Sequence, residues 1–302
     1  MDPLIEKTIR RCEPRAGSLI VTVIGDVVSP HGNQVWLGSL IAALEPFGLN
    51  QRQIRTAVSR LVADGWLRSE QVGRRSYYGF SDLGLREFAG AARRIYRPPG
   101  IVDWDGRWTL VMNGGCDADS FNELARHLAW QGFAKLTTGL LGHPCFSSEA
   151  VKESVVNEPA VVVWRASSDS DRALSTKLRA AWDLDALDSG FRSFTKMFGP
   201  LSKWVGEKQL DGANAFAIRL MLVHEYRRLV LKSIELPRSL IPKGASNLES
   251  YKLASDLYQA VSDASLEYIR AHLTAIDGPL GAPDPAYFKR FDGFSVPLAG
   301  AA

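Results

Sequence analysis

The chain has 302 residues, 46% hydrophobic and 23% charged, with a net charge of +3. That length and apolar content support two or three domains with real cores and exclude a disordered or fibrous chain. The densest apolar runs, 161–164 and 220–223, are short and flanked by charge, the start MDPLIEKTIRR has no apolar export core, and Cys12, Cys116 and Cys145 are too few and scattered for a disulfide framework; no membrane span and a cytoplasmic location are expected.

Residues before Pro14 form a charged lead-in. From Ser18 to Val28, Leu19, Ile20, Val23, Ile24 and Val27 recur at helical spacing, which predicts the first core helix. Residues 29–33 (SPHGN) turn the chain, and Gln34 to Leu37 is long enough for one small strand. A short helix over Gly38–Leu44, a turn at Pro46-Phe47-Gly48 and a helix over Gln51–Ala63 follow, with Asn50 as N-cap of the latter. Its Ile54, Val58, Leu61 and Val62 make one apolar stripe. Trp66–Glu70 and Arg75–Phe80 read as two strands joined at Gly73. Helix, turn, helix and basic hairpin together predict a winged helix-turn-helix, whose second helix enters a major groove while the wing follows the backbone. Ser81 then caps a helix to about Tyr96, and Arg97-Pro98-Pro99-Gly100 reads as a linker.

Beyond the linker the predicted order is a strand at Trp108–Asn113, a helix at Asp117–Gln131, strands at Phe133–Thr138 and His143–Phe146, a helix at Ser147–Asn157 and a strand at Ala160–Trp164. This βαββαβ order suggests a ferredoxin-like fold. The remainder is predicted helical: Ser170–Trp182, Asp185–Trp204, an almost uniformly apolar Ala213–Ile234, and Ser250–Ile276. The expected domains are thus 1–97, 101–168 and 169–277, with a Pro/Gly/Ala-rich tail, 278–302, adding little core. The fold class is α+β.

Charge locates the candidate interface. Between Asn50 and Arg75 stand six arginines against Asp64 and Glu70, a local +4 that exceeds the +3 of the whole chain. Residues 1–97 hold fourteen Lys and Arg against nine Asp and Glu, a net +5 that leaves −2 for the rest. Gln51, Arg52, Arg55, Thr56, Ser59 and Arg60 make up the polar face of the second helix, and Arg74 and Arg75 mark the wing. Arginine can bridge two acceptors on guanine or bind phosphate, so these eight residues are the predicted contacts to double-stranded DNA. No GxSxG, Walker loop, HExxH or metal-ligand spacing of histidines occurs, so no catalytic residue, metal or cofactor is expected.

The same segments carry a resemblance. SLIVTVIGD from Ser18, VWLGSL from Val35, the PFG turn, RTAVSRL from Arg55, GWL from Gly65 and GRRSYY from Gly73 are similar to the N-terminal domain of the PaaX-type repressors of phenylacetic acid catabolism. RIY from Arg94, WDGRW from Trp104, HEYRRLVL from His224 and LPRSLIP from Leu236 extend the resemblance over roughly Ser18 to Ala275. It implies a homodimeric repressor on a palindromic operator, released by an aryl-CoA thioester such as phenylacetyl-CoA, and a middle domain similar to the Cas2 fold.

Such an effector needs an apolar slot and cations for its phosphates. Trp204, His224, Arg227 and Arg228 are the candidates; the alternative is that His224 and Tyr226 are core polar residues and the arginines pair with Glu225 and Glu235. The Cas2 resemblance also raises a metal-dependent nuclease, but Asn113 stands where such an enzyme would place its aspartate, and Asp117 and Asp119 suit a helix N-terminus. An interaction adaptor that does not bind DNA is a third reading.

Overall fold

A computed structural model describes residues 1–100, 104–130, 132–148, 151, 160–167, 177, 180–208, 210–233, 236–241 and 244–293. The chain is mixed helix and sheet, its two larger sheets antiparallel throughout. It forms two compact units: the first unites 1–97 with 193–228 and 249–302, the second unites 98–192 with 229–248. The boundary expected at 97 coincides with a break between the two units, whereas those expected at 168 and 277 do not, because much of the C-terminal third packs on the N-terminal segment.

In the first unit α1 (Pro3–Cys12) starts at Asp2, whose carboxylate accepts the Leu4 amide, and α2 (Ala16–Val23) follows. The helix predicted over Ser18–Val28 continues as a π-helical turn, Ile24–Val28. Leu19, Ile20, Val23, Ile24, Val27 and Val28 are all fully buried. β1 (Val35–Trp36), α3 (Leu37–Leu44), α4 (Gln51–Ala63), β2 (Leu67–Val72), β3 (Arg75–Phe80) and α5 (Asp82–Ile95) come next. Asn50 and Gln53 close a reciprocal capping box at the start of α4. Ile54 and Val58 of α4 are buried, and α4 packs on α2.

The hairpin is paired in register, Leu67 with Phe80 through Val72 with Arg75, leaving Gly73 and Arg74 as a two-residue turn. Gly73 has φ +61°, a backbone position that favours glycine. β1 pairs on the far side of β3, giving the order β1-β3-β2.

The second unit has a four-stranded sheet ordered β5-β6-β4-β7, built from β4 (Trp108–Asn113), β5 (Ala134–Thr137), β6 (Leu140–His143) and β7 (Val161–Ala166). Helix α6 (Ala118–Trp130) packs Phe121, Leu124 and Leu128 onto Val111 and Leu141. The strand expected at His143–Phe146 starts three residues earlier, because Gly139 (φ +76°) turns the chain just after β5 and Pro144 ends the ladder. Most of the helices expected over 147–157 and 170–182 lies outside the described residues.

The long helices are α7 (Leu184–Glu207), α8 (Gly212–Val230) and α9 (Asn247–His272), followed by a small β8–β9 ladder, Thr274–Ala275 with Gly278–Pro279. The tail departs from expectation. Leu280, Tyr287 and Phe291 are at most 2% exposed, so this segment is part of the first unit's core. Phe291 packs among Tyr96, Tyr226, Tyr251 and Tyr258.

Candidate nucleic-acid interface

The inward side of α4 is made by buried Ile54 and Val58, with Ala57, Leu61 and Val62 half-buried beside them, so the polar positions of the helix are turned outward. Gln51, Arg52, Arg55, Thr56, Ser59 and Arg60 lie on that outward side. With its amide oxygen facing Arg55, Gln51 accepts from the guanidinium at 2.9 and 3.1 Å, one helical turn apart. Arg60 lies 3.7 Å from Asp64, but its side chain is 83% exposed and the pair remains largely solvated. The face therefore offers arginine N–H donors to a ligand without first breaking a buried contact.

On the hairpin Arg68, Arg74 and Arg75 are exposed as well, while Leu67, Tyr77 and Phe80 anchor it to the core. Glu70, an acid on the same hairpin, is engaged by the Gln34 amide at 2.8 Å. The Asn33 side chain exchanges two hydrogen bonds with the Phe80 backbone, 2.8 and 2.9 Å, which fixes the inner end of β3. All eight residues expected to meet DNA are thus held by the same run of elements, 51–75.

The four effector candidates are used differently. His224 is 1% exposed, and its Nδ1 lies 2.9 Å from the Thr22 hydroxyl. That hydroxyl donates to the Ser18 carbonyl, so the imidazole must be the donor to Thr22. Burial, assisted by Arg227 and Arg228, pushes the His224 pKa down to about 3, which keeps it neutral. Arg227 donates through Nη2 to the Ser18 carbonyl and hydroxyl, 3.0 and 2.9 Å. Arg228 pairs with Glu225 at 2.9 Å. Trp204 belongs to α7, and Lys208, just past the end of that helix, stands 5.6 Å from its ring centre. His224, Arg227, Ser18 and Thr22 therefore form a joint between α8 and α2.

A second cluster escaped the sequence reading. Asp26, on the π turn, is fully buried and meets Arg219 at 2.8 Å, Arg290 at 3.0 Å and the hydroxyls of Tyr96 and Tyr258 at 2.7 and 3.1 Å. Arg219 also donates to Tyr287, and Arg290 to the Gly25 and Asp26 carbonyls. Burial alone would raise the Asp26 pKa, but the two guanidiniums outweigh it and the net shift is downward. An aspartate inside the otherwise apolar run LIVTVIGDVV was the available signal, since a buried acid needs a partner.

In the second unit Asn113 is tied into the turn after β4, accepting from Gly115 N and donating to Cys116 O. Asp117 accepts the Asp119 and Ser120 amides and the Ser120 hydroxyl, as an N-terminal cap does. No group of three or more His, Cys, Asp or Glu placed to hold a metal occurs among the described residues. Nor is any described helix long and apolar enough to cross a membrane.

The sequence profile described as PaaX-like protein matches residues 15–84, and that described as PaaX-like protein C-terminal domain matches 182–271. The transcriptional repressor PaaX of Escherichia coli (strain K12) is 33% identical over 98% of this chain and 96% of its own length. The chain belongs to the PaaX family. Membership places it among regulators rather than enzymes. A solved structure, the uncharacterized protein Rv0674 from Mycobacterium tuberculosis, shares the fold with a TM-score of 0.55 at 19% identity, covering 83% of this chain and 97% of that one. The first PaaX profile spans α2 to the start of α5 and so takes in the whole arginine-bearing face.

Proposed function

We propose that this PaaX family member is a transcriptional repressor that grips operator DNA with α4 and the β2–β3 hairpin, acting as a winged helix-turn-helix. The observation that carries the reading is the outward, arginine-bearing face of α4 continued by the exposed arginines of the hairpin. Base edges in a major groove present paired acceptors to Arg52, Arg55 and Arg60, with Gln51, Thr56 and Ser59 as shorter polar contacts. Arg74 and Arg75 meet phosphates. The strand order β5-β6-β4-β7 around α6 fits a ferredoxin-like, Cas2-like middle domain without a nuclease site, since Asp117 is occupied as a cap.

A palindromic operator calls for two copies whose recognition helices sit about one DNA turn apart, roughly 34 Å. A homodimer is therefore part of the reading. The effector is an aryl-CoA thioester that favours a dimer geometry with the wrong spacing. Trp204, Arg227 and Arg228 remain its proposed contacts, and His224 contributes by holding α8 to α2.

The test is a gel-shift of the full chain on the DNA upstream of its own gene, repeated with a panel of acyl-CoA thioesters. Retention of that DNA over a scrambled duplex, reversed by one aryl-CoA and not by free CoA, is the expected outcome. Equal retention of both duplexes would remove the operator reading. Retention that no thioester reverses would remove the effector.

A further inference from the structure

The two arginines at the hairpin tip are held differently. Arg74 occupies the turn, exposed, with no ion pair or ring contact among the described residues. Arg75 begins β3 two residues before Tyr77, and Tyr77 pairs directly with Trp36 of β1. Alternation along β3 puts Arg75 and Tyr77 on one face, which makes Trp36 the diagonal cross-strand neighbour of Arg75. The guanidinium carbon stands 4.6 Å from the centre of the Trp36 ring, within the range of a cation–π contact.

The indole is itself fixed. It lies against Gly38, in the first turn of α3, so closely that a Cβ at position 38 would run into its ring carbons Cζ2, Cη2 and Cε2. Trp36 is half-buried and its backbone is paired to β3, so neither end is free to follow a moving arginine. Glycine at 38 thus lets the ring lie flat on the helix start, and the ring supplies a rigid platform for one of the wing's charged groups.

We propose that Trp36 is a positioning residue for DNA binding: seated on Gly38, it holds the Arg75 guanidinium ready for a backbone phosphate of the duplex. This inference rests on the DNA-binding reading and adds to it a division of labour in the wing. Arg74 must be ordered when DNA arrives, whereas the Trp36 contact already biases the Arg75 guanidinium towards one position in the free protein. A stacked guanidinium keeps its in-plane N–H groups directed outward, so the platform does not compete with the phosphate.

A double-mutant cycle on the full chain tests it, with salt-series titrations against the upstream duplex and a scrambled duplex. Trp36→Leu should weaken binding to both duplexes about 3- to 10-fold, the cost of ordering one long side chain. In an Arg75→Ala background the same change should cost nothing further. Trp36→Phe should recover most of the affinity, and Arg75→Lys should lose a similar factor while leaving the salt slope unchanged, because the charge remains. Equal losses for Trp36→Leu in both backgrounds, or none in either, would overturn the proposal while leaving DNA binding intact. Failure of the wild-type chain to retain any duplex would overturn the reading beneath it as well. Melting curves check that each variant is folded; should Trp36→Leu not fold, Arg75→Lys decides, and wild-type affinity for it counts against the platform.

Discussion

Arg52, Arg55 and Arg60 on α4 stand in solvent, their strongest neighbours an amide and a solvated carboxylate. Arg219 and Arg290, in the same compact unit, are buried around Asp26 with three tyrosine hydroxyls closing the remaining hydrogen bonds. The residue type is the same and the use is opposite. A guanidinium left in water keeps its charge available and can exchange solvent for phosphate or a base edge at modest cost. One taken out of water is committed to its counter-charge, and its removal leaves that charge stranded. Arginine counts in a sequence therefore say little until burial separates the two groups.

Breaking the buried set should have the largest effect. Asp26→Ala leaves two buried guanidiniums uncompensated and is expected to cost about 3–5 kcal/mol of stability, read as a shift in the denaturant midpoint. A loss below about 1 kcal/mol would mean the cluster is hydrated and the contrast is overstated.

Acidification separates the same cluster from its surroundings. Burial pushes His31 and His143 down to about 4 and His224 to about 3, whereas an unfolded histidine titrates near 6.5. Between those values the unfolded chain binds more protons, so the stability these groups supply is complete above about pH 6.5 and is lost as pH falls towards 4. Each histidine contributes about 1.4 kcal/mol per pH unit across that window. Asp26, with a lowered pKa, holds its contribution until pH drops below the unfolded aspartate value of about 3.9. Melting temperature should therefore begin to fall near pH 6.5, well before the Asp26 cluster titrates; a flat profile down to about pH 4.5 would contradict the buried neutral histidines.

The exposed set predicts smaller and more specific changes. Arg55→Ala should leave the melting temperature unaltered and cost about 1–3 kcal/mol of discrimination between operator and scrambled DNA in a competition titration. Equal weakening on both duplexes would move Arg55 from base edge to phosphate. Smallest is Asn50→Ala, which removes one side of the α4 capping box and should cost about 1 kcal/mol of stability. No measurable change would imply that packing against α2 holds the helix start without its cap.

Much of the first unit was legible in the residues. The periodicity of Ile54 and Val58, the Asn50 cap and the glycine turn at Gly73 are local signals, and each element they predict is present. The outward face of α4 followed from the same periodicity. What stayed hidden is long-range. Nothing near Asp26 in sequence announces Arg219 or Arg290, which are 193 and 264 residues away. The Pro, Gly and Ala content of the tail points to little core, while its few large apolar residues, Leu280, Tyr287 and Phe291, carry the core contribution. In the sequence His224 reads as a ligand contact or a core polar group, and Arg227 as a ligand contact or a partner of Glu225 or Glu235; their contacts with Thr22 and Ser18 depend on how α8 crosses α2, which composition does not encode.

The exposed arginines of α4 and the hairpin are proposed to hold a duplex. A fluorescence-anisotropy titration of the full chain against its upstream DNA, over a range of salt concentrations, tests this most directly when repeated with Arg74→Ala/Arg75→Ala. Log affinity should fall linearly with log salt, with a slope shallower in the double variant by about 0.9 for each phosphate that it no longer neutralises. A wild-type chain with no salt-dependent retention, or a double variant with unchanged affinity and slope, would contradict the proposal.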